Sequence, residues 1–368
     1  MAEPRIVIPV VAGSNPVGHP PPMSTDEKFM REALRLARRG LGQTCPNPAV
    51  GCVLVKNGRI IARGWHRRAG LAHAEVEALR SLKNPAAARG ATAYVTLEPC
   101  STHGRTPPCT AALIEAGIRC VVAGAIDPDP RHRGRGLRLL RKAGLATRQG
   151  VLAAECEALN ADFHHAMTTG LPWVIAKCGM SLDGRLTRPR GESQWITSPS
   201  ARADAMKLRA RVGAILVGAG TIREDDPALT LRGIKGPQPW RVVWAPRGGI
   251  PRQARVLQDR WKDRTIVLRS SNLRTALRSL ARRGIQSVLV EGGGHTLGRL
   301  FDEGLADEVF FYIAPLLAGG KVPAVGGRGA GRPGQAVRLT GTAYQRIGRD
   351  LRISGRTLRG EAPAVARP

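Results

Sequence analysis

LAHAEVEALR, residues 71–80, and LEPCSTHGRTPPC, residues 97–109, together hold four side chains suited to a metal site. The first segment places His73 two residues before Glu75, where the apolar spacing predicts the start of a helix. The second follows a predicted strand and contains Cys100 and Cys109, separated by eight residues. An imidazole and two thiolates are common zinc ligands, and a site with only three protein ligands keeps one coordination position open.

This order of residues indicates hydrolytic removal of an amine from a pyrimidine ring. Such a reaction needs an activated water, which a three-ligand zinc ion provides, and a carboxylate that moves protons. Nucleobase deaminases combine these parts as H-x-E followed by P-C-x-x-C. We therefore predict His73, Cys100 and Cys109 as zinc ligands and Glu75 as the proton shuttle. Taken singly, each residue has a plainer explanation, such as a surface histidine, an ion-pair partner or a buried cysteine.

Length and composition favour a two-domain enzyme without a membrane anchor. The chain has 368 residues, enough for two domains, and 42% of them are hydrophobic. No apolar run approaches the ~18 residues of a membrane span. Residues 1–22 lack a basic n-region, so we expect a disordered leader rather than a signal peptide. Seven cysteines without an export signal predict reduced thiols and a cytoplasmic location.

The net charge of +29 has two readings. A charge of this size attracts nucleic acid at low salt. Alternatively, it reflects solvated helix faces, because the excess is mostly arginine scattered through segments such as RLARRG and RLLRKAG. We favour the second reading and expect phosphorylated small molecules, rather than nucleic acid, as partners.

The hydrophobic pattern divides the chain into two α/β halves. Residues 23–150 show the order β-β-α-β-α-β-α-β, including an Asn-Gly hairpin turn at Asn57, and predict one sheet covered by helices on both faces. Residues 151–171 read as a helical connector, and 172–358 as a second α/β domain. We expect a single edge strand at 346–356 and a frayed tail at 359–368.

A glycine cluster in the second half is a candidate phosphate site. Gly292, Gly293 and Gly294 lie between a predicted strand and a predicted helix, where backbone N–H groups and the helix dipole favour an anion. The cluster does not match G-x-G-x-x-G, so a tight strand–helix turn remains the alternative.

The quoted segments, together with PNPAVGCVLV, DPDPRHRGRG, AKCGMSLDGR, GESQWITSP, DDPALTLR and VEGGGHTLG, resemble the bifunctional riboflavin-biosynthesis pyrimidine deaminase/reductases. The resemblance covers residues from about 24 to about 356. It implies an N-terminal cytidine-deaminase-like three-layer α/β/α domain and a C-terminal dihydrofolate-reductase-like α/β domain. It also implies zinc-dependent deamination of 2,5-diamino-6-(5-phosphoribosylamino)pyrimidin-4-one, followed by NADPH-dependent reduction of the ribosyl chain to ribityl. We expect a homo-oligomer.

The resemblance also implies roles for individual residues. Substrate contacts fall on Asn47, His103 and Arg105 in the first half, with Arg105 suited to the substrate phosphate. In the second half they fall on Ser193, Arg209, Leu229, Arg232 and Glu291. Cofactor contacts fall on Gly179, Trp195, Thr221, Asp225, Gly292, Gly293, Gly294, His295, Thr296, Leu297 and Gly298. Asp225, ahead of Lys177, is the candidate proton donor for the reduction, although both could be structural ion-pair partners.

One residue departs from the family pattern. Asp129 occupies a position where the family usually has asparagine, and an ionised aspartate accepts hydrogen bonds without donating them.

Two alternatives to a bifunctional enzyme remain open. A deaminase acting on nucleic acid, with a non-catalytic C-terminal domain, predicts aromatic side chains near the zinc site, yet residues 90–110 contain only Tyr94. A non-catalytic interaction module in either half conflicts with the complete zinc set and the glycine cluster.

Overall fold

The apolar runs of the sequence form the strands of two separate sheets, one in each half of the chain. The structure is a computed structural model that describes residues 24–103, 107–186 and 195–358. The predicted leader and tail, residues 1–22 and 359–368, lie outside the described residues. The two-domain α/β architecture is confirmed.

The first sheet has five strands in the order β2-β1-β3-β4-β5. β1 pairs antiparallel with β2 and β3, whereas β3, β4 and β5 run parallel. β3 and β4 are nearly continuous buried runs because helices cover both of their faces, whereas β5 at the sheet edge is mostly exposed. The strands are β1 (Gly51–Lys56), β2 (Arg59–Trp65), β3 (Thr92–Leu97), β4 (Cys120–Ala125) and β5 (Ala146–Gln149).

Six helices complete a three-layer first half. They are α1 (Thr25–Ala37), α2 (Ala74–Arg80), α3 (Cys109–Glu115), α4 (Arg135–Lys142), α5 (Ala153–Leu159) and α6 (Ala161–Thr169). α1 begins at a capping box in which Ser24 and Glu27 bond each other's backbone N–H. α1, α5 and α6 bury Phe29, Cys156 and Phe163 on one face of the sheet. α2, α3 and α4 pack on the other face, so the predicted connector belongs to a packed layer.

The second sheet has eight strands in the order β12-β13-β11-β6-β10-β7-β8-β9. The six strands from β11 to β9 are parallel, and the β12–β13 hairpin adds an antiparallel edge. The strands are β6 (Trp173–Ser181), β7 (Ala214–Gly218), β8 (Trp240–Trp244), β9 (Thr265–Leu268), β10 (Ser287–Glu291), β11 (Glu308–Ala314), β12 (Leu339–Ile347) and β13 (Asp350–Thr357).

Helices also cover both faces of the second sheet. α10 and α11 pack on one face, and α7, α8 and α9 on the other. The helices are α7 (Pro199–Arg209), α8 (Ala219–Asp225), α9 (Arg255–Gln258), α10 (Leu273–Ala281) and α11 (Gly294–Asp302). Four short 3₁₀ turns occur at Arg38–Gly40, Pro85–Ala88, Lys262–Arg264 and Pro333–Gln335.

One detail of the sequence prediction was wrong. Residues 346–356 are not one edge strand: Ile347 ends β12, Gly348 turns with φ 62°, and β13 begins at Asp350. β12 is almost entirely exposed, so it lacks the apolar alternation that marks a strand.

The first half contacts the amino ends of the parallel strands of the second sheet. A cleft of about 690 Å³ between the halves is lined by residues 41–49 from one side and by 211–213, 236–240 and 284–287 from the other. These last three segments immediately precede or begin β7, β8 and β10. No helix within the described ranges is long and apolar enough to cross a membrane.

Candidate functional sites

The three predicted metal ligands come together at the edge of the first sheet. His73 is the extended residue that precedes α2, Cys100 follows β3, and Cys109 is the first residue of α3. His73 Nδ1 lies 3.5 Å from Cys100 Sγ and 3.3 Å from Cys109 Sγ. In the part of the chain that the structure describes, this is the only group of three or more potential ligands that lie within 4.8 Å of one another.

The chemistry of this donor set fits zinc. One imidazole nitrogen and two sulfurs at these spacings suit a small tetrahedral ion and leave one position open. Hydrogen bonds from the side chain of Cys109 and from His73 lower the pKa of the Cys100 thiol. The backbone N–H of Cys109 also donates to Cys100 Sγ at 3.3 Å, which favours a thiolate there.

Glu75 lies beside the three ligands without belonging to their set. It is in the first turn of α2 and only 3% exposed. Burial raises the pKa of Glu75 to about 7. A buried carboxyl group next to an open coordination position is well placed to transfer protons.

A cavity of about 490 Å³ opens above this cluster. Both halves of the chain form its wall, because α10 and the loop before β10 approach it from the second half. The lining includes Asn47, His66, His73, Glu75, Glu98, Cys100, Asp127, Asp129, Arg131, His132, Phe163, Ala281, Arg282, Gly284 and Gln286. Its size is in the range of small-molecule sites.

His66, which the sequence analysis missed, connects Asn47 to the metal ligands. Both ring nitrogens of His66 have a partner when the ring is neutral. Nδ1–H then donates to the carbonyl oxygen of Ala72 at 3.0 Å, and Nε2 accepts from Asn47 Nδ2 at 3.2 Å. Burial lowers the pKa of His66, which favours this neutral form. The ring packs edge-on against that of His73 at 5.1 Å. Its position directly after β2, seven residues before His73, was the available sequence signal.

Glu98 is a second residue that the sequence analysis missed. Its buried carboxylate accepts hydrogen bonds from the backbone N–H groups of Asp127, Gly134, Gly136 and Leu137 at 2.8–3.2 Å. These bonds fix the 127–137 segment over the cavity. Glu98 is therefore a structural acceptor in this wall.

Asp129, the departure from the family pattern, is engaged within its own loop. Its carboxylate accepts hydrogen bonds from the Arg131 guanidinium at 2.6–3.1 Å and from the Arg131 backbone N–H at 2.9 Å. Hydrogen bonds from Arg131 lower the pKa of Asp129 to about 2. At this position the cavity wall therefore presents an ion pair without net charge.

One predicted substrate contact does not line the deaminase cavity. His103 is exposed and is not among the described residues that line the cavity. Arg105 and Ser193 lie outside the described residues.

In the second half, charged residues meet near the carboxyl end of β10. Glu291 pairs in register with Lys177 of β6. Arg209 donates to both Glu291 oxygens, at 2.6 and 2.8 Å, and to the carbonyl oxygen of Thr230 at 2.8 Å. Burial raises the pKa of Glu291, but Arg209, with Lys177 and Arg232, outweighs this effect and lowers it to about 2. Much of the hydrogen-bonding capacity of Arg209 is thus used inside the protein.

The glycine cluster contains two kinds of glycine. Gly292 and Gly293 have φ of 85° and 73°, and a Cβ at Gly292 would meet nothing within 4 Å. This open backbone next to the N-terminus of α11 fits a phosphate of a dinucleotide. In contrast, a Cβ on Gly294 or Gly298 would lie 2.1–2.2 Å from the backbone of the 323–327 loop. These two glycines permit close packing of α11.

Two threonine hydroxyl groups border the open glycine backbone. A Cβ on Gly293 would lie 3.4 Å from Thr221 Oγ1 and 3.7 Å from Thr296 Oγ1. The Leu297 side chain is fully buried in the core, which leaves its backbone as the part available to a ligand. His295 is exposed.

The remaining predicted contacts occupy varied environments. Trp195 is 50% exposed, with the Arg202 guanidinium 4.8 Å above its ring. Leu229 is buried and has a positive φ of 50°. Gly179 faces Thr197, since a Cβ would lie 3.1 Å from its Cγ2. Asp225 ends α8 and is exposed.

The two candidate sites lie at opposite ends of strand β10 in the second sheet. Gln286, in the cavity wall, immediately precedes β10, whereas Glu291 ends the same strand. Within one chain, the β10 strand therefore separates the two sites.

Comparison with known proteins gives a consistent result for both halves. The model of the "cytidine and deoxycytidylate deaminase zinc-binding region" matches residues 23–125, and that of the "RibD C-terminal domain" matches residues 172–353. The riboflavin biosynthesis protein RibD of Escherichia coli is 43% identical over 327 residues, which cover 80% of this chain and 89% of that protein. RibD of Actinobacillus pleuropneumoniae is 40% identical over 355 residues, covering 89% of this chain and 94% of the relative.

Solved structures extend the similarity to the arrangement of both domains. Acinetobacter baumannii RibD matches with a TM-score of 0.84 and 37% identity, covering 91% of this chain and 99% of that chain. The Thermotoga maritima diaminohydroxyphosphoribosylaminopyrimidine deaminase/5-amino-6-(5-phosphoribosylamino)uracil reductase matches with a TM-score of 0.80 and 35% identity, with the same coverage.

Proposed function

This chain belongs to the RibD family of bifunctional deaminase/reductases, and we propose that its two sites act in succession on one phosphorylated pyrimidine. The first reaction is hydrolytic deamination of 2,5-diamino-6-(5-phosphoribosylamino)pyrimidin-4-one. The second is NADPH-dependent reduction of the ribosyl chain to ribityl. The Thermotoga maritima relative is named for a deaminase and a reductase activity on these pyrimidines, which supports the same substrates for the present chain.

For the deamination, we assign the metal site to His73, Cys100 and Cys109. A zinc ion there supplies the Lewis acidity that makes water a nucleophile at neutral pH. Glu75 takes a proton from the attacking water and delivers it to a ring nitrogen. It then takes the remaining proton of the hydroxyl group added to the ring carbon and gives it to the amine, which leaves as ammonia while the carbonyl forms. Asn47, held by His66, orients the ring through its side-chain amide.

For the reduction, the open backbone at Gly292 and Gly293 holds a cofactor phosphate at the start of α11. NADPH supplies the hydride for C1 of the ribosyl chain. The reaction also consumes a proton, and Lys177 beside Glu291 is better placed to donate it than the exposed Asp225. Arg232 is exposed and close enough to lower the pKa of Glu291, which supports a role in holding the substrate phosphate.

The observation that carries this proposal is the metal cluster beside Glu75, in the same chain as the Lys177–Glu291–Arg209 cluster. The test incubates purified protein with the diaminopyrimidinone substrate, with and without NADPH, and measures metal content on the same sample. Without NADPH, the deaminated pyrimidine should accumulate. With NADPH, the ribityl product should form as NADPH is consumed. Absence of deamination by a zinc-loaded sample would contradict the proposal.

We also infer the domain limits and the wider setting. The deaminase domain spans 23–150, the connector 151–171 and the reductase domain 172–358. The outer edge strand β12, which is exposed, supports assembly into a homo-oligomer, which light scattering would detect. The seven free cysteines support a cytoplasmic location.

Nucleic acid is not an expected partner. The described lining of the deaminase cavity holds one Phe, Tyr or Trp side chain, Phe163, which gives little surface for stacking a flipped base. Tight RNA binding at physiological salt would favour the alternative reading of the +29 charge.

A further inference from the structure

The reductase domain contributes part of the wall of the deaminase cavity. Ala281, Arg282, Gly284 and Gln286, at the end of α10 and in the loop before β10, line the cavity together with two of the assigned zinc ligands, His73 and Cys100. The two active sites lie at opposite ends of strand β10 in the second sheet. A side chain from one domain can therefore act in the reaction of the other.

This part of the wall is anchored to the loop that carries Asn47. Gln286 Nε2 donates to the carbonyl oxygen of Pro46 at 2.7 Å, and Cys45 Sγ donates to the carbonyl oxygen of Gly284 at 3.5 Å. These contacts fix the 282–286 segment relative to the cavity. Arg282 is thus held at a defined part of the wall.

Arg282 differs from Arg131, the other arginine in the cavity lining, in having no carboxylate partner among the described residues. Four carboxyl groups line the cavity, those of Glu75, Glu98, Asp127 and Asp129. The Arg131 guanidinium is already paired with Asp129 at 2.6 Å. The Arg282 side chain, by contrast, has no hydrogen bond or ion pair with any residue in the described ranges. A guanidinium with free N–H groups is a ready partner for an incoming anion.

We propose that Arg282 binds the phosphate group of the deaminase substrate, so that the reductase domain completes the deaminase site. This inference rests on the proposed function, which supplies a phosphorylated pyrimidine as substrate. Glu75 lines the cavity and is buried, and the ribosyl unit separates the pyrimidine from its phosphate. The phosphate must then lie toward the mouth, where the exposed Arg282 can form two parallel N–H···O bonds to it.

The test measures deamination by the full-length, zinc-loaded protein with Arg282→Gln. We expect KM for the phosphorylated substrate to rise about 10- to 100-fold, since a charge-assisted contact is lost, while kcat stays within about twofold. The dephosphorylated substrate should be deaminated equally well by both proteins. Inorganic phosphate should inhibit the wild type competitively and the variant less strongly. Arg282→Lys should recover part of the loss.

Arg283→Gln is the matched control. Arg283 is the next residue of the same segment and carries the same charge, but it does not line this cavity. It should retain the wild-type KM, which separates a specific contact from a general effect of net charge.

Three outcomes distinguish the possibilities. A KM for Arg282→Gln equal to that of the wild type overturns the inference. Equal losses of deamination and of NADPH-dependent reduction also overturn it, because they indicate a folding defect of the second domain. A wild-type protein that does not deaminate the substrate at all contradicts the proposed function instead.

Discussion

Arg209 and Glu291 form a doubly hydrogen-bonded ion pair, with Nε–Oε1 at 2.6 Å and Nη2–Oε2 at 2.8 Å. Both side chains are largely buried, at 9% and 12% exposed. The pair joins the last residue of α7 to the last residue of β10. It thereby fixes the carboxylate that Lys177 and Arg232 also face.

Breaking this pair from one side should be costly. Arg209→Met leaves the Glu291 carboxylate buried without its main partner, and we expect a loss of about 3–5 kcal/mol in the free energy of unfolding. Urea denaturation would measure it. Lys207→Met is the matched control, because Lys207 is 72% exposed and its 3.6 Å pair with Asp204 should contribute less than about 1 kcal/mol. Similar losses for the two variants would contradict a special role for the buried pair.

The contribution of Glu291 should also depend on pH. Its pKa is lowered from 4.5 to about 2, so the stabilisation is complete above about pH 4.5 and is lost as the pH falls through about 2. The difference in unfolding free energy between the wild type and Glu291→Gln should therefore narrow on going from pH 6 toward pH 2. A difference that stays constant across this range would show that the ionised form is not favoured in the folded state.

Glu75→Gln should separate the two activities. Loss of the proton shuttle should lower the deamination rate by about 10²- to 10⁴-fold, while NADPH-dependent reduction of the deaminated intermediate is retained. Zinc content should not change, because Glu75 is not part of the ligand cluster. Glu77→Gln, on the same helix and paired with Arg67 at 3.0 Å, should deaminate normally. Equal activity of the two variants would remove Glu75 from the mechanism.

Metal removal should have the same selectivity. Prolonged chelation should stop deamination and leave reduction intact. Added Zn²⁺ should restore deamination. Cys100→Ser and Cys109→Ser should each reduce the bound zinc well below one ion per chain, because a hydroxyl is a poor replacement for a thiolate ligand. Cys120→Ala removes a thiol outside the cluster and should bind zinc as the wild type does. Full deamination without metal would contradict the site assignment.

The metal cluster and most strands could be predicted because their signals lie in short stretches of sequence. His73 and Glu75 are two residues apart, and most strands of both sheets are short apolar runs bounded by turns. β12 could not be predicted, since its exposed residues lack the apolar periodicity that burial imposes.

The missed site residues depend on contacts between distant parts of the chain. Arg282 follows Glu75 by more than 200 residues, and only the packing of the two halves brings both to one cavity. Glu98 looks like an ordinary charged residue until the 127–137 segment folds over it. The Arg209–Glu291 pair likewise joins residues 82 positions apart. Composition and spacing carry no signal for such pairings.

Lys177 and Asp225 should differ in their effect on the reduction. Lys177 is in register with Glu291, and its Nζ lies 5.9 Å from the centre of the Tyr312 ring. If it donates the proton, Lys177→Met should lower kcat for reduction by about 10²- to 10⁴-fold with little change in KM for NADPH. If Asp225 contacts the cofactor, as the family resemblance implies, Asp225→Asn should mainly raise KM for NADPH.

The control for this comparison removes the same positive charge as Lys177→Met at a position away from the reductase site. Lys262→Met removes one exposed lysine in a short 3₁₀ turn and should reduce at the wild-type rate. Deamination should be normal in all three variants, because Lys177 and Asp225 lie outside the lining of the deaminase cavity. A large fall in kcat for Asp225→Asn combined with normal reduction by Lys177→Met would reverse the assignment and make the aspartate the proton donor.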